Sequence, residues 1–125
     1  MLAAALLAIV EEACTSVLIL TEEVSAEEFL RSRITRAEVL RQLRSVAAAL
    51  GEVPQATRAA LPEFEWAGWL ATARNFDGPG TGNGDAAGEA IWFAVRSLVP
   101  ATLMWLRVYR QSRPELFVFT TQDKP

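Results

Sequence analysis

The sequence predicts an all-α protein: an antiparallel bundle of four to five helices ending in a short extended arm. Three observations carry this expectation. Apolar residues recur at intervals of three and four over most of the 125 residues. Ser/Thr-x-x-Glu motifs, and one aspartate, stand where helices would open. The only run with strand composition, LFVFTT at 116–121, is too short to be a sheet domain. The length suits one domain with a single core, expected over residues 1–112, with 113–125 as its tail.

The elements follow in order. Leu2, Leu6, Ile9, Ala13, Val17, Leu20 and Val24 mark one face of a long first helix, and Leu7, Val10, Cys14 and Leu18 add a second apolar stripe. One packed face needs only the first stripe, so the excess points either to a central helix or to a subunit interface; the interface, and with it a homodimer, is the preferred reading. Ser25 with Glu28, and Thr35 with Glu38, read as capping boxes, in which hydroxyl and carboxylate satisfy orphan backbone donors reciprocally. The second box opens a helix with Val39, Leu43, Val46 and Leu50 on one side and Arg41 and Arg44 elsewhere. Gly51 and Pro54 should bend or end it. A further helix is expected from about Phe64 to Arg74, with Pro62 in the loop before it. Asp85 is the expected N-cap of a long last helix reaching about Arg110. Its apolar face is read as Ile91, Val95, Leu98, Trp105 and Val108, with a kink at Pro100. Residues 116–121 are expected to pack as an extended arm.

Composition excludes several chemistries. There is no histidine and only one cysteine, Cys14, so a zinc site has almost no ligands, and the usual proton exchanger near neutral pH is missing. No metal and no cofactor is expected. A lone cysteine fits a reducing, bacterial cytoplasmic setting. The apolar N-terminus has no basic residue before Arg31 and is interrupted by Glu11 and Glu12, which reads as a buried helix, neither a signal peptide nor a membrane span. Residues 1–30 hold six of the fifteen acids and none of the twelve bases, an asymmetry too small to argue a nucleic-acid footprint. Trp66, Trp69, Trp92 and Trp105 are assigned to core and interface.

One stretch departs from helix-forming composition: RNFDGPGTGNGD, residues 74–85. Around it, the order EEFL from Glu27, VLRQL from Val39, Pro54, LPEFEW from Leu61 and RN at Arg74 and Asn75 resembles the HepT-like proteins of the HEPN superfamily. The likeness continues in the last helix through Asp85, Ile91-Trp92 and Leu98-Val99-Pro100, and spans about residues 3–110. It implies an antiparallel four-helix bundle that pairs as a homodimer. Family members are typically toxins encoded beside a minimal nucleotidyltransferase antitoxin. Active members cut RNA through an arginine followed four to six residues later by histidine, and a tyrosine two positions beyond can be modified with AMP. Arg74 and Asn75 match that motif. The histidine positions hold Pro79, Gly80 or Thr81, and Thr81 also stands where the tyrosine would be. Both the base and the modification site are gone.

Metal-independent RNA cleavage needs a group to take the 2′-hydroxyl proton and another to protonate the leaving oxygen. Arginine stabilises phosphate charge but hardly exchanges protons, its pKa lying above about 12. Asp77 is the remaining catalytic candidate beside Arg74 and Asn75, although an ordinary carboxylate is a poor proton exchanger at pH 7. Thr81, Asn83 and Asp85 are the polar groups of the loop available for binding. The glycine cluster lacks the Lys-Ser/Thr of a phosphate loop and no strand precedes it, so its glycines are read as supplying positive φ angles for an irregular connection. The sequence therefore points to a toxin-type homodimer that has lost its nuclease motif and binds a nucleotidyltransferase-like partner or RNA. The rival is a ribonuclease with a histidine-free site around Arg74.

Overall fold

The computed structural model describes the backbone over residues 2–77 and 84–117, and side chains over 3–74 and 88–117. Every regular element among these residues is helical. In chain order they are α1 (Leu2–Thr21), α2 (Ala26–Arg31), α3 (Arg33–Gly51), α4 (Gln55–Ala60), α5 (Trp66–Asp77), α6 (Gly84–Phe93), a π-helical turn (Ala94–Leu98), α7 (Val99–Ser112) and a 3₁₀ turn (Pro114–Phe117). The long elements α1, α3, α5 and the continuous α6–α7 rod form an up-down-up-down bundle around one core, each packed on its neighbours. Opposed direction is plain between α5 and α7. The Glu63 N–H, just before α5, donates to the Tyr109 hydroxyl late in α7, while Trp69, six residues later in the chain, donates from Nε1 to Oγ1 of Thr102, seven residues earlier than Tyr109, at 2.9 Å. Gly68 lets α5 approach the π turn closely, since a Cβ there would lie 3.1 Å from Leu98 Cδ2.

The long α1 is apolar on nearly every side, and its buried face is set by its neighbours. Leu6, Leu7, Val10, Ala13, Cys14, Val17 and Thr21 point inward, whereas Ile9 and Leu20 are 44% and 36% exposed. The second stripe read from the sequence, Leu7, Val10, Cys14 and Leu18, therefore lies in or against the core, whereas the first is split, with Leu6, Ala13 and Val17 inside and Ile9 and Leu20 outside. The helix stops at Thr21, short of Val24. Its hydroxyl, buried without another partner, turns back to Val17 O at 2.8 Å. By length and mean hydropathy, 3–21 and 88–112 would each suffice to cross a membrane; both supply much of the core.

The Ser25 capping box is present: Glu28 N–H donates to Ser25 Oγ at 3.1 Å and Ser25 N–H to Glu28 Oε1 at 2.9 Å. The expected box at Thr35 is not. Helix α3 opens at Arg33, capped by Ser32, whose Oγ accepts from Thr35 N–H at 3.2 Å. Ser32 wins because it alone can serve both the end of α2 and the start of α3. Glu38 is freed to bind Arg41 and Gln42. Pro54 opens α4, a helix the sequence did not suggest, because its fixed φ suits a cap (φ −60, ψ 150). Trp66 starts α5, two residues after Phe64, which is buried in the preceding turn.

The anticipated discontinuity at Pro100 falls one turn earlier. Val99 N–H reaches back five residues to Ala94 O, and the extra residue in this π turn shifts the buried face by one position. Leu106 and Tyr109 are buried, Trp105 packs against the edge of the core, and Val108, expected on the apolar face, is 41% exposed. Pro100 then sits at the second position of α7, where a missing N–H costs little. Leu116 and Phe117, expected in an extended arm, lie in the 3₁₀ turn packed on α1; residues 118–121 of the arm lie outside the described residues.

Gly51 closes α3 with no positive φ, and an added Cβ would meet nothing within 4 Å. Gly51→Ala should therefore raise the unfolding free energy by about 0.5–1 kcal/mol by restricting the unfolded chain. A urea midpoint that falls would show that position 51 is not helical.

Candidate functional site

Of the site residues singled out in the sequence, Arg74 alone has a described side chain. Arg74 lies in the last turn of α5 with its side chain exposed, where a cation is favoured by the carbonyl ends of the helix. Asn75 and Asp77 continue that turn, their side chains outside the described residues. Thr81 and Asn83 lie wholly outside them. Asp85 was read as the cap of the last helix, but α6 opens at Gly84 and places Asp85 in its first turn. No cluster of three or more potential metal ligands occurs among the described residues.

Titrating groups with large displacements move away from neutrality. Burial pushes the Cys14 thiol up to about 12. Burial, then the hydrogen bond to Glu63, raises the Tyr109 phenol to about 12. Its hydroxyl donates to the Glu63 carboxylate while accepting from the Glu63 N–H at 3.0 Å. Tyr109 stacks with Trp105 and meets Phe64 at ring distances of 5.8 and 5.7 Å. It is a structural bolt between the α4–α5 connection and α7. The carboxylates of Glu38 and Glu115 are lowered by hydrogen bonds from Arg41 and Arg113. None of these shifts creates a proton exchanger at pH 7.

A cleft of about 190 Å³ opens between α3 and α5. Its walls are Ala47, Leu50 and Gly51 on one side and Trp69, Leu70 and Ala73 on the other. Arg58 closes one end. Its guanidinium carbon lies 5.4 Å from the Trp66 ring centre. Nε donates to Val53 O at 3.1 Å, and Nη2 to Leu50 O and Gly51 O at 3.2 and 3.0 Å. The guanidinium thus satisfies the terminal carbonyls of α3, a role for Arg58 that spacing alone did not reveal. Leu70 stands at the mouth, 57% exposed. Arg74 follows one helical turn after Leu70, and Arg44 precedes Ala47 by one turn. Because α3 and α5 run in opposite directions, both arginines lie toward the end away from Arg58. The sequence reading found Arg74 as a motif residue and missed the cleft; Gly51 was legible only as a helix breaker.

No family model matches the chain, and neither does any curated protein or solved structure.

Proposed function

We propose that the chain is a HepT-like helical homodimer that has lost its nuclease motif and acts as a cytoplasmic interaction protein of bacteria. Its partner would be of the minimal nucleotidyltransferase antitoxin type, with RNA as the alternative ligand of Arg74. One observation carries this reading: α5 ends by presenting Arg74 to solvent in a chain without any histidine. Such an end can bind an anion. No histidine is available to move the protons that RNA cleavage requires, and losing general acid–base catalysis removes about 10²- to 10⁴-fold of rate. The up-down bundle agrees with the fold the resemblance implies. Exposed Leu70, Phe93 and Met104 on α5, α6 and α7, at 57%, 64% and 45%, are apolar surface of the kind a subunit interface covers.

Purified protein and its Arg74→Ala variant should leave mixed RNA equally intact. Cleavage by the wild type that the variant lacks would instead establish a histidine-free ribonuclease. At micromolar concentration the protein should size at twice its 13.7 kDa chain mass, and elution as a monomer would remove the dimer from the proposal.

A further inference from the structure

We propose that the outer face of α1 is the docking surface of this chain's own C-terminal segment, residues 118–125, with Phe119 seated on Ala5, Ala8 and Ile9. The inference goes beyond the interaction-protein reading and does not depend on it. Residues 118–125 lie outside the described residues, but the surface they would cover and the point from which they leave lie within them.

The surface is apolar and unfilled. An open groove of about 650 Å³ lies against the outer side of α1, with Ala5, Ala8 and Ile9 on its floor and Glu11 and Glu12 on its rim. Residues 5, 8, 9 and 12 share one side of a helix, opposite the buried Leu7, Val10, Cys14 and Val17. Two alanines leave room above the helix that longer side chains would fill. Ile9, 44% exposed, stands beside that room.

The chain arrives at this groove already anchored. The 3₁₀ turn Pro114–Phe117 packs on both α1 and α7. Arg113 Nε donates to Glu115 Oε2 at 2.9 Å and the Leu116 N–H to Arg113 O at 3.1 Å, which fixes the turn. The Phe117 ring centre lies 4.7 Å from the Arg110 guanidinium carbon, and the same guanidinium donates to Glu11. The last described residue therefore ends at the rim of the groove. Ala8 lies three residues before Glu11, about 4.5 Å along the axis, and Ala5 about 9 Å. An extended chain advances about 6.6 Å every two residues and returns its side chains to the same face. Position 119 then falls near Ala8, and position 121 near Ala5. The run LFVFTT has the composition for such a segment.

Charge disfavours other occupants. Residues 1–30 hold no base. Arg110 answers Glu11, but α1 carries no cation to answer Glu12. A second copy docking through this face about a two-fold axis would bring its own Glu12 to the same surface. An anionic lipid surface or RNA would be repelled as well. Residues 118–122 carry no charge, and a segment tethered at the rim loses little entropy in closing over it.

The test is disulfide trapping in the full chain. Ala5→Cys with Thr121→Cys, oxidised in a glutathione buffer, should form an intramolecular bond at least about tenfold faster than Ala67→Cys, on the exposed side of α5, with Thr121→Cys. Adding Phe119→Ser should remove that advantage. A chain ending at Phe117 should bind an apolar dye more brightly than the full chain, and Ile9→Ser in the shortened chain should cancel the gain. Equal rates for the two cysteine pairs, a bond that joins two chains, or unchanged dye emission after the segment is removed would overturn the proposal. Elution of the wild type as a monomer, or Arg74-dependent RNA cleavage, would overturn the functional reading and leave the disulfide result standing. Failure of the trap in an intact dimer would remove the α1 contact alone.

Discussion

Phe29→Ala should cost about 3–5 kcal/mol of folding free energy, as expected for emptying a fully buried aromatic site. Phe29 is 0% exposed although it belongs to a helix of only six residues. Helix α2 is too short to be stable by itself. It is held by the Ser25 capping box at one end and by Ser32 at the other, and through Phe29 it is tied to α6, where the ring meets Trp92 at 4.8 Å and 38°. Such a pair adds about 0.5–1.5 kcal/mol beyond the area it buries. Against the roughly 5–15 kcal/mol of a typical domain, the loss is about a fifth or more of the total. It should appear as a urea midpoint lower by more than about 1 M and as a red shift in Trp92 emission. Arg31→Ala, on the same helix, is the control. Its bridge to Glu27 is 3.7 Å long between side chains 71% and 81% exposed, so the change should stay within about 0.5 kcal/mol. A loss below about 1 kcal/mol for Phe29→Ala would mean that α2 does not seal that corner of the core.

How much of this was legible depended on whether a helix has one apolar face. In α3 it does: Val39, Leu43, Val46 and Leu50 are all buried, because a straight helix with a single stripe has only one way to face a core. In α1 the pattern is apolar almost all round, so periodicity fixes that a helix forms but not its rotation. The partners α3 and α7 choose the rotation, leaving Ile9 outside and Cys14 inside. In α7 the phase failed for a local reason. The π turn at 94–98 inserts a residue, and the fully buried face beyond it moves to Leu106 and Tyr109, with Val108 outside. The cap of α3 was misassigned to Thr35 because the motif was read within one helix, whereas Ser32 joins two.

The candidate site divides along the same line. Arg74 at a helix end was visible because a glycine-rich segment follows it directly. The cleft was invisible because no contiguous motif encodes it. Arg58 belongs to α4, whose sequence QATRAA has no apolar period, and it reaches the α3 terminus only because Pro54 turns the chain back. Gly51, Leu70 and Arg58 are separated by 7 to 19 residues in sequence, and only the packing of α3 on α5 gives them a common purpose.

Raising the pH should unfold this protein more sharply than is usual for a domain of its size. The chain has one tyrosine and one cysteine, and Lys124 is its only lysine, so few groups can lose protons between pH 9 and 12. Two of those few are interior. Cys14 goes from an ordinary 9.0 to about 12 and Tyr109 from 10.0 to about 12. Below pH 9 both are protonated whether the chain is folded or not, so they add no pH dependence. Between 9 and 12 the unfolded chain gives up protons that the folded one retains, and stability falls as pH rises. At about 1.36 kcal/mol per pH unit and per group, roughly 4 kcal/mol is lost by pH 11. Of this, about 3 kcal/mol comes from Cys14 and about 1 kcal/mol from Tyr109. Urea midpoints at pH 8, 9.5 and 11 would show the decline. Tyr109→Phe should remove only the part above pH 10, and Cys14→Ala the part that begins at 9, whatever either does to the plateau. At pH 8 the same burial should make Cys14 react with a thiol reagent roughly a thousandfold more slowly than in urea, from the thiolate fraction alone. A flat midpoint from pH 8 to 11, with a fast-reacting thiol, would mean that α1 does not face the core with Cys14, and the rotation assigned to α1 would have to be abandoned.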